Sequence, residues 1–88
     1  MNVRVIVSFY VEDFSKFKTG FHTGAEARSE AGIEAEAYQN TDVPNNAWVI
    51  LTAQSREDFN LFFSNPVTQE RMRNVGIISD PTITFLES

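Results

Sequence analysis

Two segments of this chain are apolar on both faces of an extended strand, and they restrict the fold more than any other feature. In residues 2–10, Val3, Val5, Val7 and Phe9 alternate with Arg4, Ile6, Ser8 and Tyr10, so apolar side chains occur on each side. Residues 47–53 read Ala-Trp-Val-Ile-Leu-Thr-Ala and are again apolar on both sides. Such strands belong in the centre of a sheet that is covered twice. The chain has 88 residues. That is one domain, residues 1–88, with a thin core. Its helical segments suffice to cover one side only.

The remaining elements follow from spacing and punctuation. Residues 12–31 read as helical, with Phe14, Phe17, Phe21, Ala25 and Arg28 on one stripe. Gly20 and Gly24 lie inside it. Each weakens a helix by about 1 kcal/mol relative to Ala, so a kink, a break or a close backbone approach is expected there. Gly32 suits a C-cap. Residues 33–40 alternate as a more exposed strand, with Ile33, Ala35, Ala37 and Gln39 opposite Glu34, Glu36, Tyr38 and Asn40. Residues 41–46 are turn chemistry. Ser55, with an acid three positions on, starts a helix carrying Phe59, Phe62 and Phe63. Asn65-Pro66 starts a separate helix over 66–75, with Val67, Arg71 and Val75 on one side and Met72 beside them. Gly76 ends it, and residues 82–87 form a last strand. The order β-α-β-β-α-β is that of the split βαβ, ferredoxin-like arrangement. This is an α+β fold with four antiparallel strands and helices on one face. The bare face would then carry Ile6, Tyr10, Tyr38, Trp48, Ile50 and Leu86. That patch exceeds what soluble monomers usually expose, so a second copy of the chain is expected to cover it.

Composition excludes several functions. Seven Lys and Arg against twelve Asp and Glu leave a net charge of −5. Nucleic acid and anionic membrane surfaces require clustered cations, so neither is expected as a partner. The absence of cysteine removes disulfides, thiolate nucleophiles, iron–sulfur clusters and Cys-ligated zinc. No phosphate-binding glycine loop, nucleophile elbow or HExxH motif occurs. No cofactor and no metal are expected. Apolar runs are too short to span a bilayer, and the first residues read as a strand rather than a signal peptide, so a cytoplasmic location is expected.

Several short patterns occur together: Val11-x-Asp13-Phe14, Ala31-Gly32-Ile33, Val43-Pro44-Asn45, Phe63-x-x-Pro66, Met72-x-x-x-Gly76-Ile77 and Pro81-x-Ile83-x-Phe85. In this the chain resembles small members of the dimeric α/β-barrel superfamily, which includes antibiotic-biosynthesis-monooxygenase-like proteins. The resemblance extends over nearly the whole chain. It implies a homodimer whose two sheets pack face to face, and a cleft in each subunit between sheet and helices. Cofactor-independent oxygenases, polyketide-cyclase-like proteins, haem-degrading enzymes and muconolactone isomerases all belong to that superfamily. The haem-degrading members pair a helical His with an Asn. Here His22 stands alone, so the resemblance carries the fold and not a catalytic set.

The candidate chemistry is sparse. His22 is the one histidine, at the edge of the Phe stripe, where a general base at a cleft mouth or a solvent-facing side chain would both fit. Arg28 falls on the stripe itself. A charge there either anchors a carboxylate or enolate, or pairs with Glu34 or Glu36 as the stripe leaves the core. Phe17, Phe21, Phe62, Phe63 and Met72 are the expected apolar wall. Tyr10, Tyr38 and Trp48 suit an interface between sheets better than a pocket. Glu26, Glu30, Glu34 and Glu36 read as a solvated face. Two functions fit: binding, or cofactor-free turnover, of a small apolar or aromatic metabolite with His22 and Arg28 as polar groups, or a non-catalytic module acting through its dimer surface.

Overall fold

A computed structural model describes residues 2–87. Its sheet runs in the order β2-β3-β1-β4, with every neighbouring pair antiparallel. Strand β1 spans Val3–Tyr10, β2 Glu34–Gln39, β3 Asn46–Ala53 and β4 Thr82–Leu86. The two strands with apolar residues on both faces, β1 and β3, are central, and their register sets Ile6 opposite Ile50 and Val7 opposite Val49. Four helices accompany the sheet: α1 Phe14–Thr23, α2 Ala25–Glu30, α3 Arg56–Ser64 and α4 Pro66–Asn74. The order is therefore β-α-α-β-β-α-α-β, the ferredoxin-like arrangement with each helical crossover broken in two.

Local chemistry accounts for the helix ends. The Asp13 carboxylate accepts the Ser15 N–H at 2.8 Å and caps α1. Ser55 accepts the Asp58 N–H at 3.0 Å and caps α3. Asn65 accepts the Val67 N–H at 2.8 Å and caps α4, with Pro66 in the first turn, where its missing N–H costs nothing. The break expected in 12–31 falls at Gly24, whose N–H is shared between the Gly20 and Phe21 carbonyls at 3.3 and 3.2 Å. Gly32 and Gly76 follow α2 and α4 at φ 75° and 85°, a conformation that favours glycine.

One face of the sheet is covered. Val3, Val5, Val7 and Phe9 of β1 and Ala47, Val49, Leu51 and Ala53 of β3 are buried against Phe17 of α1 and Phe59 of α3. The other face carries Tyr10, Tyr38, Trp48, Ile50 and Leu86, between 37% and 48% exposed, with Ile6 half-buried among them. Near one end of this bare face lies a buried polar node. Asn46 donates to the Ser8 hydroxyl at 3.0 Å and the Phe9 carbonyl at 3.1 Å, and accepts from Asn40 at 3.0 Å and the Trp48 indole at 2.7 Å. No helix is long and apolar enough to cross a membrane among the described residues.

Three sequence readings change. Ala25 is exposed, so the apolar stripe ends at Phe21 where the helix breaks. Helix α4 turns Thr68, Met72 and Val75 inward, while Val67 is 58% exposed and Arg71 is in solvent. A Val-led stripe was the natural expectation, but two and a half turns are too short to fix the phase. Arg28 does not pair with Glu34 or Glu36. Its guanidinium instead caps the Phe21 carbonyl, and Glu36 accepts the Tyr38 hydroxyl.

Candidate functional site

Between the covered face of the sheet and the helices lies an apolar cleft in two compartments. The inner one, about 100 Å³, is floored by Val7, Phe9, Val49 and Leu51 of the sheet. The outer one, about 90 Å³, lies where α1 and α2 face α4 and includes Gly20, Gly24, Arg28, Arg71 and Val75. Phe17, Phe21, Phe62, Thr68 and Met72 line both, so the compartments adjoin and share these side chains as walls. Aromatic contacts hold the walls. Phe17 meets Phe9 edge-on at 5.2 Å and Phe21 at 5.8 Å, while Phe59 stacks on Phe63 at 5.2 Å.

The outer compartment gets its cation from the helix break. A continuous helix would direct the 25th amide to the Phe21 carbonyl. With the chain turned at Gly24, the Arg28 side chain folds back, donates to that carbonyl at 2.8 Å and sets its guanidinium carbon 3.8 Å from the centre of the Phe21 ring. A cation at a helix C-terminus opposes the negative end of the dipole. Burial holds the Arg28 pKa below its usual value, and no carboxylate contributes to that shift. The group stays charged at neutral pH. One of its five donors is committed to Phe21, and the others remain for a ligand.

The structure brings Phe17, Phe21, Phe62, Phe63, Met72 and Arg28 to this cleft. His22 is exposed, 6.1 Å ring to ring from Phe21, and lines neither compartment. Sequence reasoning missed Thr68 and Arg71 as lining groups, because α4 offered no clear phase. At Gly20 the expected close approach is to Val75: a Cβ there would overlap Val75 Cγ1. No Asp, Glu or His lines either compartment, so neither holds a carboxylate or imidazole base. No group of three His, Cys, Asp or Glu side chains is placed to share a metal ion among the described residues. A larger groove of about 500 Å³ lies between α4 and the approach to β4, lined by Gln69, Arg73, Ser79 and Asp80 among others. Its lining is mixed, with Met72, Ile77, Ile78 and Pro81 beside the polar groups, and includes both a cation and an acid.

No protein-family model matches the chain, and no curated protein matches it. Solved structures do. A Bordetella bronchiseptica protein with the provisional name antibiotic biosynthesis monooxygenase superposes with a TM-score of 0.83 at 14% identity, over 99% of this chain and 96% of that one. A similarly named protein from Nitrosomonas europaea gives 0.78 at 14% identity, over 99% and 89%. SnoaB from Streptomyces nogalater, described as a cofactor-independent oxygenase, gives 0.77 at 14% identity, over 99% and 94%. At these identities the likeness establishes architecture, and along nearly its whole length the chain has the fold of the antibiotic-biosynthesis-monooxygenase-like structures.

Proposed function

We propose that the chain acts as a homodimer that binds, or turns over without a cofactor, a small apolar or aromatic metabolite in the cleft between sheet and helices. The observation that carries this reading is the cleft itself: two adjoining apolar compartments over the sheet, with one half-buried cation at the mouth. Binding sites for small molecules commonly have this form, mostly apolar with few convergent polar groups. Phe17, Phe21, Phe62, Phe63 and Met72 form the wall, and Arg28 is the polar anchor. We leave His22 out, since it stands in solvent. The description of SnoaB as a cofactor-independent oxygenase is consistent with chemistry that draws on the ligand rather than on a bound group. A guanidinium stabilises developing negative charge on a ligand oxygen but removes no proton.

The homodimer rests on the bare sheet face. Tyr10, Tyr38, Trp48, Ile50 and Leu86 place exposed apolar side chains on this face from all four strands. Large amphipathic rings are suited to a buried interface core. The same face favours a second reading, in which the chain serves assembly and the cleft is incidental packing space.

A cleft-filling variant separates the two. Thr68→Trp fills both compartments and leaves the sheet face untouched. A thermal-shift screen with the single-ring compounds toluene, phenol and anisole should raise the melting temperature of the wild type and not of the variant. A ligand at one hundred times its Kd adds about 2.7 kcal/mol. Equal shifts in both proteins, or none in either, would overturn the cleft reading.

A further inference from the structure

We infer that the cleft selects a small carboxylic acid, with an apolar body no larger than about one ring inside and a single negative charge at the mouth. This rests on the cleft reading above and adds the class of ligand. The first ground is charge. The chain carries twelve acids against seven Lys and Arg, yet the ten residues lining the mouth include two arginines and no acid. Arg28 is half-buried there with one donor committed to the Phe21 carbonyl. Arg71 lies across the mouth on α4 and is exposed. A forked guanidinium matches the two oxygens of a carboxylate.

The second ground is the limit on that charge. The mouth lies beside the C-terminal turn of α1, where carbonyl groups present the negative end of the helix dipole. Arg28 offsets that end. A monoanion is then attracted, while a phosphate dianion would place a second charge against the same carbonyls. The third ground is size. The inner compartment measures about 100 Å³ and the mouth about 90 Å³. A cavity of about 150 Å³ takes benzene, whereas drug-sized ligands occupy roughly 300–1,000 Å³. A single ring, or a branched chain of similar bulk, extends from the inner compartment toward the mouth, and a polycyclic body does not fit.

The test uses the full chain in its native oligomeric form and three probes at matched ionic strength: phenylacetate, its neutral isostere phenylacetamide, and acetate. Backbone amide resonances of Phe21, Thr68 and Met72 report occupancy in an NMR titration. Phenylacetate should bind at least tenfold more tightly than phenylacetamide. Arg28→Met should raise the Kd of the acid at least tenfold and leave that of the amide within twofold. Arg71→Gln, at an exposed position where folding is not at stake, should raise the Kd of the acid two- to fivefold, and salt should reduce that difference. Equal Kd values for acid and amide in the wild type would refute charge selection and leave the cleft reading standing. Acetate binding as tightly as phenylacetate would refute the apolar half of the proposal. Failure of both aromatic probes to shift the cleft resonances would overturn the cleft reading along with this one.

Discussion

Gly20→Ala tests the packing that forms the cleft mouth. On a bare helix this substitution stabilises, because Ala exceeds Gly by about 0.8–1.0 kcal/mol in helix propensity. The fold predicts the opposite sign. A Cβ at position 20 would overlap Val75 Cγ1 and lie 3.0 Å from Val75 Cβ. Valine is branched at that carbon and stiff in χ1, so it cannot swing aside. The end of α4 must move away from α1 instead. Overpacking of this kind costs about 1–3 kcal/mol. After the propensity gain, the net loss is up to about 2 kcal/mol. For a chain of this length that lowers Tm by about 4–8 °C per kcal/mol. Urea unfolding at one fixed protein concentration measures it, since dimerisation would make stability concentration-dependent. The double variant Gly20→Ala/Val75→Ala should recover at least 1 kcal/mol of coupling relative to the two single changes. A stabilised Gly20→Ala, or strict additivity with Val75→Ala, would refute the close approach of α1 and α4.

Other consequences are measurable. Ile50→Asp buries an unpaired charge in the proposed dimer interface at a cost of several kcal/mol, so light scattering should report the 10.0 kDa monomer or unfolded chain where the wild type has twice that mass. Asn46→Ala leaves the Asn40 amide and Trp48 indole without their acceptor and should cost about 1–3 kcal/mol in urea, with a shift in Trp48 emission. Tyr38 ionises above the usual tyrosine value of about 10, first because its hydroxyl donates to Glu36 and then because of the Glu36 charge and desolvation. A raised pKa in the folded state means that this contact stabilises fully below the unfolded value and is lost as pH rises through the folded one. Tyrosinate absorbance should therefore place Tyr38 late in an alkaline titration, and Glu36→Gln should bring it earlier.

Much of the fold was legible because its signals are local. The two-sided apolar patterns of 2–10 and 47–53 placed those strands in the centre, where they are. Ser55 and Asn65 read correctly as helix starts, since a cap depends on residues within one turn. The composition of the bare sheet face follows from strand alternation alone. What was not legible depends on contacts between distant elements. A close approach near Gly20 was expected, but its partner Val75 lies 55 residues away. The inward face of α4 is set by where Pro66 starts the helix, and Val67 and Met72 alone among its nine residues do not reveal it. Arg28 was placed correctly as a charge at the end of an apolar stripe. Its partner, the Phe21 carbonyl beside the break at Gly24, has no signature in a pattern of side chains.

The location of a bound ligand is the most direct test of the account. A crystal soaked in 4-bromophenylacetate would report it through the anomalous signal of bromine. The account predicts a bromine peak in the inner compartment among Phe17, Phe62 and Met72, with the carboxylate toward Arg28. Bromine found only on the bare sheet face or in the groove beside α4, with the cleft empty, would contradict it.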